Sequence, residues 1–178
     1  PMLYDDLLTS DKEKALAKAE IRRFFTRLAI FAALCWVLFG LVFGLAAVPG
    51  NTMAPRLCAG DLVLFSRMDR GSAAGQVAVY RQDGTLHLGR IAARGGDTIT
   101  VTDSGALLIN GSAVAEPDIT TLTRPVEGGP DYPLTLADGE LFVLCDLRTA
   151  GADSRLYGAI PQSAVLGTAL AALRRDNL

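Results

Sequence analysis

From Leu28 to Val48 the chain carries no charged residue, and beyond Pro49 it changes to short apolar runs broken by Gly, Pro, Asn and Asp. The first pattern is that of a membrane-crossing helix, since about 20 apolar residues span roughly 30 Å of hydrocarbon. A core helix would show a polar face, and this run has none. A basic flank and Ala46-Ala47-Val48 imitate a cleavable export signal, but the run is long for one. Before it, Asp11 to Arg27 is rich in Lys, Glu, Ala and Arg and lacks Gly and Pro, so a helix capped by Ser10 or Asp11 is expected to run into the span. Pro1 to Ser10 shows little pattern and is expected to be a loose tail.

The second pattern predicts strands at Asp61 to Ser66, Gln76 to Arg81, Thr85 to Ala92 and Thr98 to Thr102. Ala106 to Ile109 runs into Asn110-Gly111, a two-residue hairpin signal, with the partner strand starting near Ser112. Asn110-Gly111-Ser112 also spells a glycosylation acceptor, although turn chemistry alone accounts for it. Pro117 to Tyr132 reads as a long loop, Glu140 to Cys145 as a buried strand, and Ser163 to Arg175 as a final strand or helical tail. The chain therefore divides into an N-terminal tail and helix (1–27), a membrane span (28–48) and a mainly β domain (49–178), without internal repeats.

Charge adds direction to this plan. All three lysines, Lys12, Lys14 and Lys18, precede the span together with Arg22, Arg23 and Arg27, and none follows it. That asymmetry places the N-terminus in the cytoplasm and the β domain outside, on a single-pass protein of the plasma membrane. A net charge of -2 without a clustered basic face argues against a nucleic-acid partner. No metal-ligand spacing or cofactor motif occurs, so neither a metal nor a cofactor is expected. Cys58 and Cys145 read as free thiols, with a disulfide as the alternative if the β domain faces an oxidising compartment.

Four ordered segments resemble the bacterial type I signal peptidases, membrane-anchored leader peptidases that use a Ser-Lys dyad. Gly50-Asn51-Thr52-Met53-Ala54-Pro55-Arg56-Leu57 is similar to their Ser-Met-x-Pro-Thr-Leu nucleophile segment, and Gly60-Asp61-Leu62-Val63-Leu64 continues it. Gly89-Arg90-Ile91-Ala92-Ala93-Arg94-Gly95-Gly96-Asp97 is similar to the segment that supplies the lysine base. Asp146-Leu147-Arg148 and Asp153-Ser154-Arg155-Leu156-Tyr157-Gly158 are similar to the Asp-Asn-Arg and Asp-Ser-Arg-x-Trp-Gly signature. The resemblance implies a β-sheet or partial-barrel ectodomain on one transmembrane helix. It also implies exported proteins or signal peptides, held as extended chains, as partners.

The resemblance fails where chemistry would occur. Thr52 takes the place of the nucleophilic serine; its β-methyl stiffens χ1, and without a base the hydroxyl is inert near neutral pH. Gly89 stands where the lysine base belongs, and Arg90 stays protonated and cannot replace it. Gly50 and Gly151 stand where the family carries serines that assist the oxyanion and the lysine. His87, the only histidine, lies two residues before Gly89 on the same strand face, but that offset is roughly 6.5 Å where a base must approach within about 3 Å.

The resemblance further implies that Met53 and Leu57 line shallow side-chain pockets, or else are simply core. Asp146, Arg148, Asp153 and Arg155, with Ser154 among them, are expected to form a carboxylate-guanidinium network beneath the site. The reading that follows is a signal-peptidase-like protein with a degenerate dyad, holding or positioning exported proteins without cutting them. Some family members of this kind assist pilus assembly. The alternative is an active signal peptidase with Thr52 as nucleophile, and Thr52→Ser with Gly89→Lys is the exchange expected to revive turnover.

Overall fold

The computed structural model describes residues 2–117, 119–149 and 151–174, with side chains from Leu16 onward. The chain falls into a helical unit ending at Val42 and a β unit beginning at Phe43.

In the helical unit α1 covers Met2–Val37 and continues as a wider π-helical turn over Leu38–Val42. No Gly or Pro interrupts Met2–Val37, so the expected loose tail is helical from Met2, and Ser10 and Asp11 lie within the helix instead of capping it. Leu16–Val42, with a mean hydropathy of 2.1, is long and apolar enough to cross a membrane.

The helix stops short of the expected span end, because Phe43–Ala47 forms strand β1 of the β unit. Lipid and protein core select the same apolar residues, so composition does not mark the boundary. Gly44 does: a Cβ there would lie 2.2 Å from the Phe65 ring, so only glycine lets this strand pack on β2.

The β unit contains β2 (Leu62–Ser66), β3 (Val77–Gln82), β4 (Thr85–Arg94), β5 (Thr98–Val101), β6 (Leu107–Ile109), β7 (Ser112–Ala113), β8 (Leu134–Thr135), β9 (Glu140–Leu144), β10 (Ile160–Pro161) and β11 (Val165–Leu173). A four-residue helix, α2, covers Ser154–Tyr157. Strands β1-β2-β11-β3-β4-β9-β10 make a seven-stranded sheet in that order, and β7-β6-β5-β8 a smaller one. The expected strands form, and the C-terminal segment takes the strand option. Between 119 and 132 no helix or strand is present among the described residues, as expected for a loop.

Asn110 and Gly111 both adopt positive φ, 51° and 78°, the geometry a two-residue hairpin needs. The Asn110 side chain is occupied on both ends, accepting from the Thr98 N–H (2.9 Å) and donating to Asp97 (2.9 Å).

Side-chain alternation divides the interior into three apolar clusters. Ala46, Val48, Met53, Leu57, Val63, Phe65, Val79 and Leu88 form one. Strand β9 explains the other two: Leu141 and Val143 point to the cluster around Tyr80 and Ile91, whereas Phe142 and Leu144 point to the one shared with the smaller sheet. A strand serving two cores has no polar face, hence its unbroken apolar run.

Two carboxylates hold turns at the ends of strands. Asp69 accepts from the N–H groups of Gly71 (3.1 Å) and Ser72 (2.9 Å), from Gln76 Nε2 (2.7 Å) and from Thr168 Oγ1 (3.1 Å). Burial alone would raise its pKa, but these donors outweigh it and hold the carboxyl below its ordinary value. Asp97 is held low by the Arg94 N–H and the Asn110 amide. A depressed folded pKa contributes stability above the unfolded value of about 3.9 and loses it as pH falls through the folded one. We therefore expect thermal stability of the β unit to fall below about pH 4. In Asp69→Asn and Asp97→Asn the melting temperature should drop at pH 7 and depend less on pH between about 4 and 2, as thermal scans across that range will show.

Candidate functional site

The turn between β1 and β2 carries Thr52. It is fixed at both ends: Asn51 Oδ1 accepts from the Ala59 N–H (2.8 Å), Asp61 Oδ2 from the Cys58 N–H (2.9 Å), and Met53 O from the Leu57 N–H (3.0 Å). The segment after β9 lies against it, with the Leu147 N–H donating to Thr52 O (2.9 Å) and the Asp146 N–H to Met53 Sδ (3.4 Å). The Thr52 turn and the Asp146-Leu147-Arg148 segment are thus together, and Arg90 of β4 joins them through Asp146.

What surrounds the half-buried Thr52 is not a base. Its methyl carbon lies 3.2 Å from where a Cβ on Gly151 would stand, and that same Cβ would stand 2.4 Å from the sulfur of the Cys145 thiol. Burial, reinforced by Asp153, pushes that thiol up to about 12, against the lowering effect of Thr52, so it is protonated at neutral pH. Cys145 and Cys58 are both free, so the disulfide alternative is not realised.

Gly89 sits in β4 opposite Ala78. A Cβ there would be 2.4 Å from Val143 Cγ1 and 3.5 Å from Tyr80 Cε1, two fully buried side chains. Val143 therefore stands where a side chain at 89 would begin, with Tyr80 in ordinary contact beside it. The Tyr80 hydroxyl is hydrogen-bonded to that of Tyr157. Burial raises both phenols, Tyr157 to about 12, so neither offers a phenolate near neutrality.

His87 is half-buried and stacks on Tyr80 across the β3–β4 pair, with ring centroids 5.6 Å apart. Among the described residues the His87 imidazole makes no hydrogen bond, so it is not joined to Thr52. Met53 is fully buried core. Leu57 is core too, but it also walls, with Val63 and Val77, a groove of about 270 Å³ that opens where β11 parts from β3 beyond Thr168.

The charged network forms, with partners the sequence did not name. Asp153 and Arg155 make a bidentate pair, both contacts 2.9 Å, with side chains 1% and 3% exposed. Asp153 also accepts from the N–H groups of Cys145 (3.0 Å) and Arg155 (3.0 Å), capping α2. The Ser154 hydroxyl accepts from the Val143 N–H (2.9 Å). Asp146 is taken bidentately by Arg90 (2.8 and 2.5 Å), which also donates to Gly75 O (2.8 Å). Buried Arg148 donates to Cys145 O (2.7 Å), to the Thr123 hydroxyl and to Glu116. Arg90, Glu116 and Thr123 lie 25 to 56 residues from these partners, so no local motif reveals them.

Thr123 and its neighbours show where the long loop goes. It packs over Arg148 and Arg155, with Arg155 Nη1 reaching Arg124 O (3.4 Å).

Backbone geometry supplies a last feature. β9 pairs with β4 only from Arg90 to Arg94, and β3 takes the opposite edge. Among the described residues the remaining edge of β4, Leu86 to Leu88, is unpaired, as is the outer edge of the terminal strand β1. Ala46 and Val48 share an apolar cluster with Leu88, so both free edges flank one core.

Removing one partner from a buried pair leaves an uncompensated charge. Asp153→Asn should lower the stability of the β unit by about 3–5 kcal/mol. Glu116→Gln, at a carboxylate in contact with solvent, should cost less; denaturant unfolding of both variants checks the order.

Comparisons with known proteins identify the family. The family model described as signal peptidase, peptidase S26, matches residues 21–173. The signal peptidase I of Mycobacterium tuberculosis, in two strains, is 23% identical over 219 aligned positions, covering 90% of this chain and 74% of the relative. A crystal structure of a signal peptidase I from Enterococcus faecalis aligns with a TM-score of 0.46 and 23% identity, over 56% of this chain and 97% of that one. With nearly its whole β unit inside the family match, the chain belongs to the peptidase S26 family of signal peptidases.

Proposed function

We propose that this protein is a membrane-anchored member of the family that holds exported polypeptides without cutting them. The observation that carries this reading is the walled base position. Gly89 has no side chain, Val143 stands where one would begin, and burial keeps the nearby Cys145 thiol protonated. General-base catalysis requires an acceptor within hydrogen-bond reach of the hydroxyl, with a pKa near the working pH.

Binding needs less than cleavage. An extended chain can add to a free strand edge through backbone hydrogen bonds alone, and the Leu86 to Leu88 edge of β4 and that of β1 offer such a place. The excess of Lys and Arg before the apolar stretch favours a cytoplasmic N-terminus and an extracytoplasmic β unit. The partner is then an exported protein or signal peptide, and the bilayer is the anchor. A role beside pilus assembly rests only on resemblance to non-catalytic family members.

Incubated in detergent micelles with a signal-bearing precursor, the full chain should leave the precursor intact. Cleavage that vanishes in Thr52→Ala would overturn the proposal. A synthetic signal peptide should bind, and the same peptide with alternate backbone nitrogens methylated should lose most of its affinity, because a strand partner uses those N–H groups. Equal binding of the two peptides would exclude edge addition.

The exchange Thr52→Ser with Gly89→Lys, expected from sequence to revive turnover, should fail. Its lysine meets Val143, and overpacking of this kind costs about 1–3 kcal/mol. A cleavage assay beside a thermal melt should find no product and a lower melting temperature than the parent.

A further inference from the structure

A further open strand edge lies apart from those of β1 and β4. β11 pairs with β2 as far as Leu173 but with β3 only as far as Thr168, so from Ala169 onward its other edge has no strand partner among the described residues. That edge runs for about 16 Å, room for about five residues of another strand. It is also unprotected. Ala169 to Leu173 include no charged residue and no proline, the devices that keep open edges from pairing, whereas the terminal strand β10 ends in Pro161.

The groove of about 270 Å³ walled by Leu57, Val63 and Val77 follows this edge, because the successive residues Ala169 to Ala172 line it. Side chains alternate between faces of a strand, so an unbroken run of lining residues means that the groove faces the backbone of β11. Guanidinium groups bracket it. Arg90, held bidentately by Asp146, lies opposite Val77 and so beside the Thr168 end, while Arg174, just past Leu173, donates to Pro55 O (3.0 Å) next to Arg56 at the other end. Asp146 is the one carboxylate residue lining the groove, against Arg56 and Arg90. We propose that this edge is a second strand-addition site, and that it takes an extended segment of a partner polypeptide whose apolar residues are bounded by acidic ones. Backbone groups pair with β11, the apolar side chains enter the groove, and the carboxylates meet the guanidinium groups at its ends. The inference goes beyond the holding of exported chains at β1 and β4 and needs neither of those edges.

The test uses the full chain in detergent and a blocked pentapeptide, Glu-Val-Ala-Val-Glu, with Lys-Val-Ala-Val-Lys as its control, binding being read by calorimetry. The acidic peptide should bind, and the basic one at least about tenfold more weakly. Ala172 pairs with Val63 of the core, and paired residues share a face, so a larger side chain at 172 fills the groove. Ala172→Trp should therefore weaken the acidic peptide by at least about tenfold. Should that variant not fold, Arg56→Glu, at an exposed position, serves: it should weaken the acidic peptide and not the basic one. Neither substitution lies on β1 or β4, so the signal peptide should bind both variants as it binds the parent, and it should not displace the pentapeptide.

No binding of the acidic peptide, equal affinity for the two peptides, unchanged binding in the variants, or displacement by the signal peptide would overturn the proposal. So would a parent chain that sediments as a dimer beside a monomeric Ala172→Trp, which would assign the edge to a second copy. None of these readouts depends on cleavage. A precursor that is cut, or a signal peptide that fails to bind, would refute the holding function while the pentapeptides still decided the role of β11.

Discussion

The constraint on which the β unit depends is the buried carboxylate of Asp153. With its side chain 1% exposed, it is satisfied by the Arg155 guanidinium, by the Arg155 N–H and by the Cys145 N–H. One side chain thereby caps α2, ends β9 and fixes the backbone beside the nucleophile turn. Arg155 carries the connection onward to Arg148 O (2.7 Å), and Arg148 ties the same segment to the long loop through Thr123 and Glu116. Buried ion pairs contribute little net stability over an apolar alternative, but a single broken partner is strongly destabilising. Such a network changes all at once or not at all. It is the reason the Asp-Ser-Arg segment is legible in this chain.

Much of the fold was readable because it is written in short-range pattern. Alternation located β2 to β6, and the positive φ of Asn110 and Gly111 is what an Asn-Gly hairpin demands. β1 was hidden because the apolar run supplies first a helix and then a strand, and only Gly44 under the Phe65 ring marks the change. The charged residues of the site were visible through the family signature, but not their partners. Asp146 meets Arg90 because β4 and β9 align Arg90 with Leu144, a register that no local motif encodes. Tyr80 and Val143 fell within ordinary strand runs, and Tyr157 stood in the Asp-Ser-Arg-x-Trp-Gly-like segment with no role assigned to it. Their part in closing the Gly89 site follows only from three-dimensional packing.

Packing also explains why the base site is filled and not hollow. A lysine replaced by glycine in a close-packed interior leaves a void, and voids forfeit dispersion contacts and solvation energy. Here Val143 stands 2.4 Å from the missing Cβ and Tyr80 stacks with His87 alongside, so no such void remains. His87, which the sequence offered as a substitute base, is a neighbour of Tyr80. In this interior the space is set by its walls, so changing one residue back does not recreate the original cavity.

Recognition of an extended chain draws on a different part of the molecule. The unpaired edges of β1 and of β4 from Leu86 to Leu88 are backbone features, set by strand lengths and by the point where β9 leaves β4. They need no lysine at 89 and no serine at 52. The side chain at position 89 and the strand edges are therefore separable, whereas loss of the Asp153 network would disturb both. Among these features the order of dependence runs from buried charge to backbone register to free edge, and chemistry at Thr52 requires all three plus a base. The room at Gly89 is taken by Val143 whereas the free edges lie in backbone outside the β4–β9 pairing that carries Val143, so the packing at position 89 and the strand edges can change independently of one another.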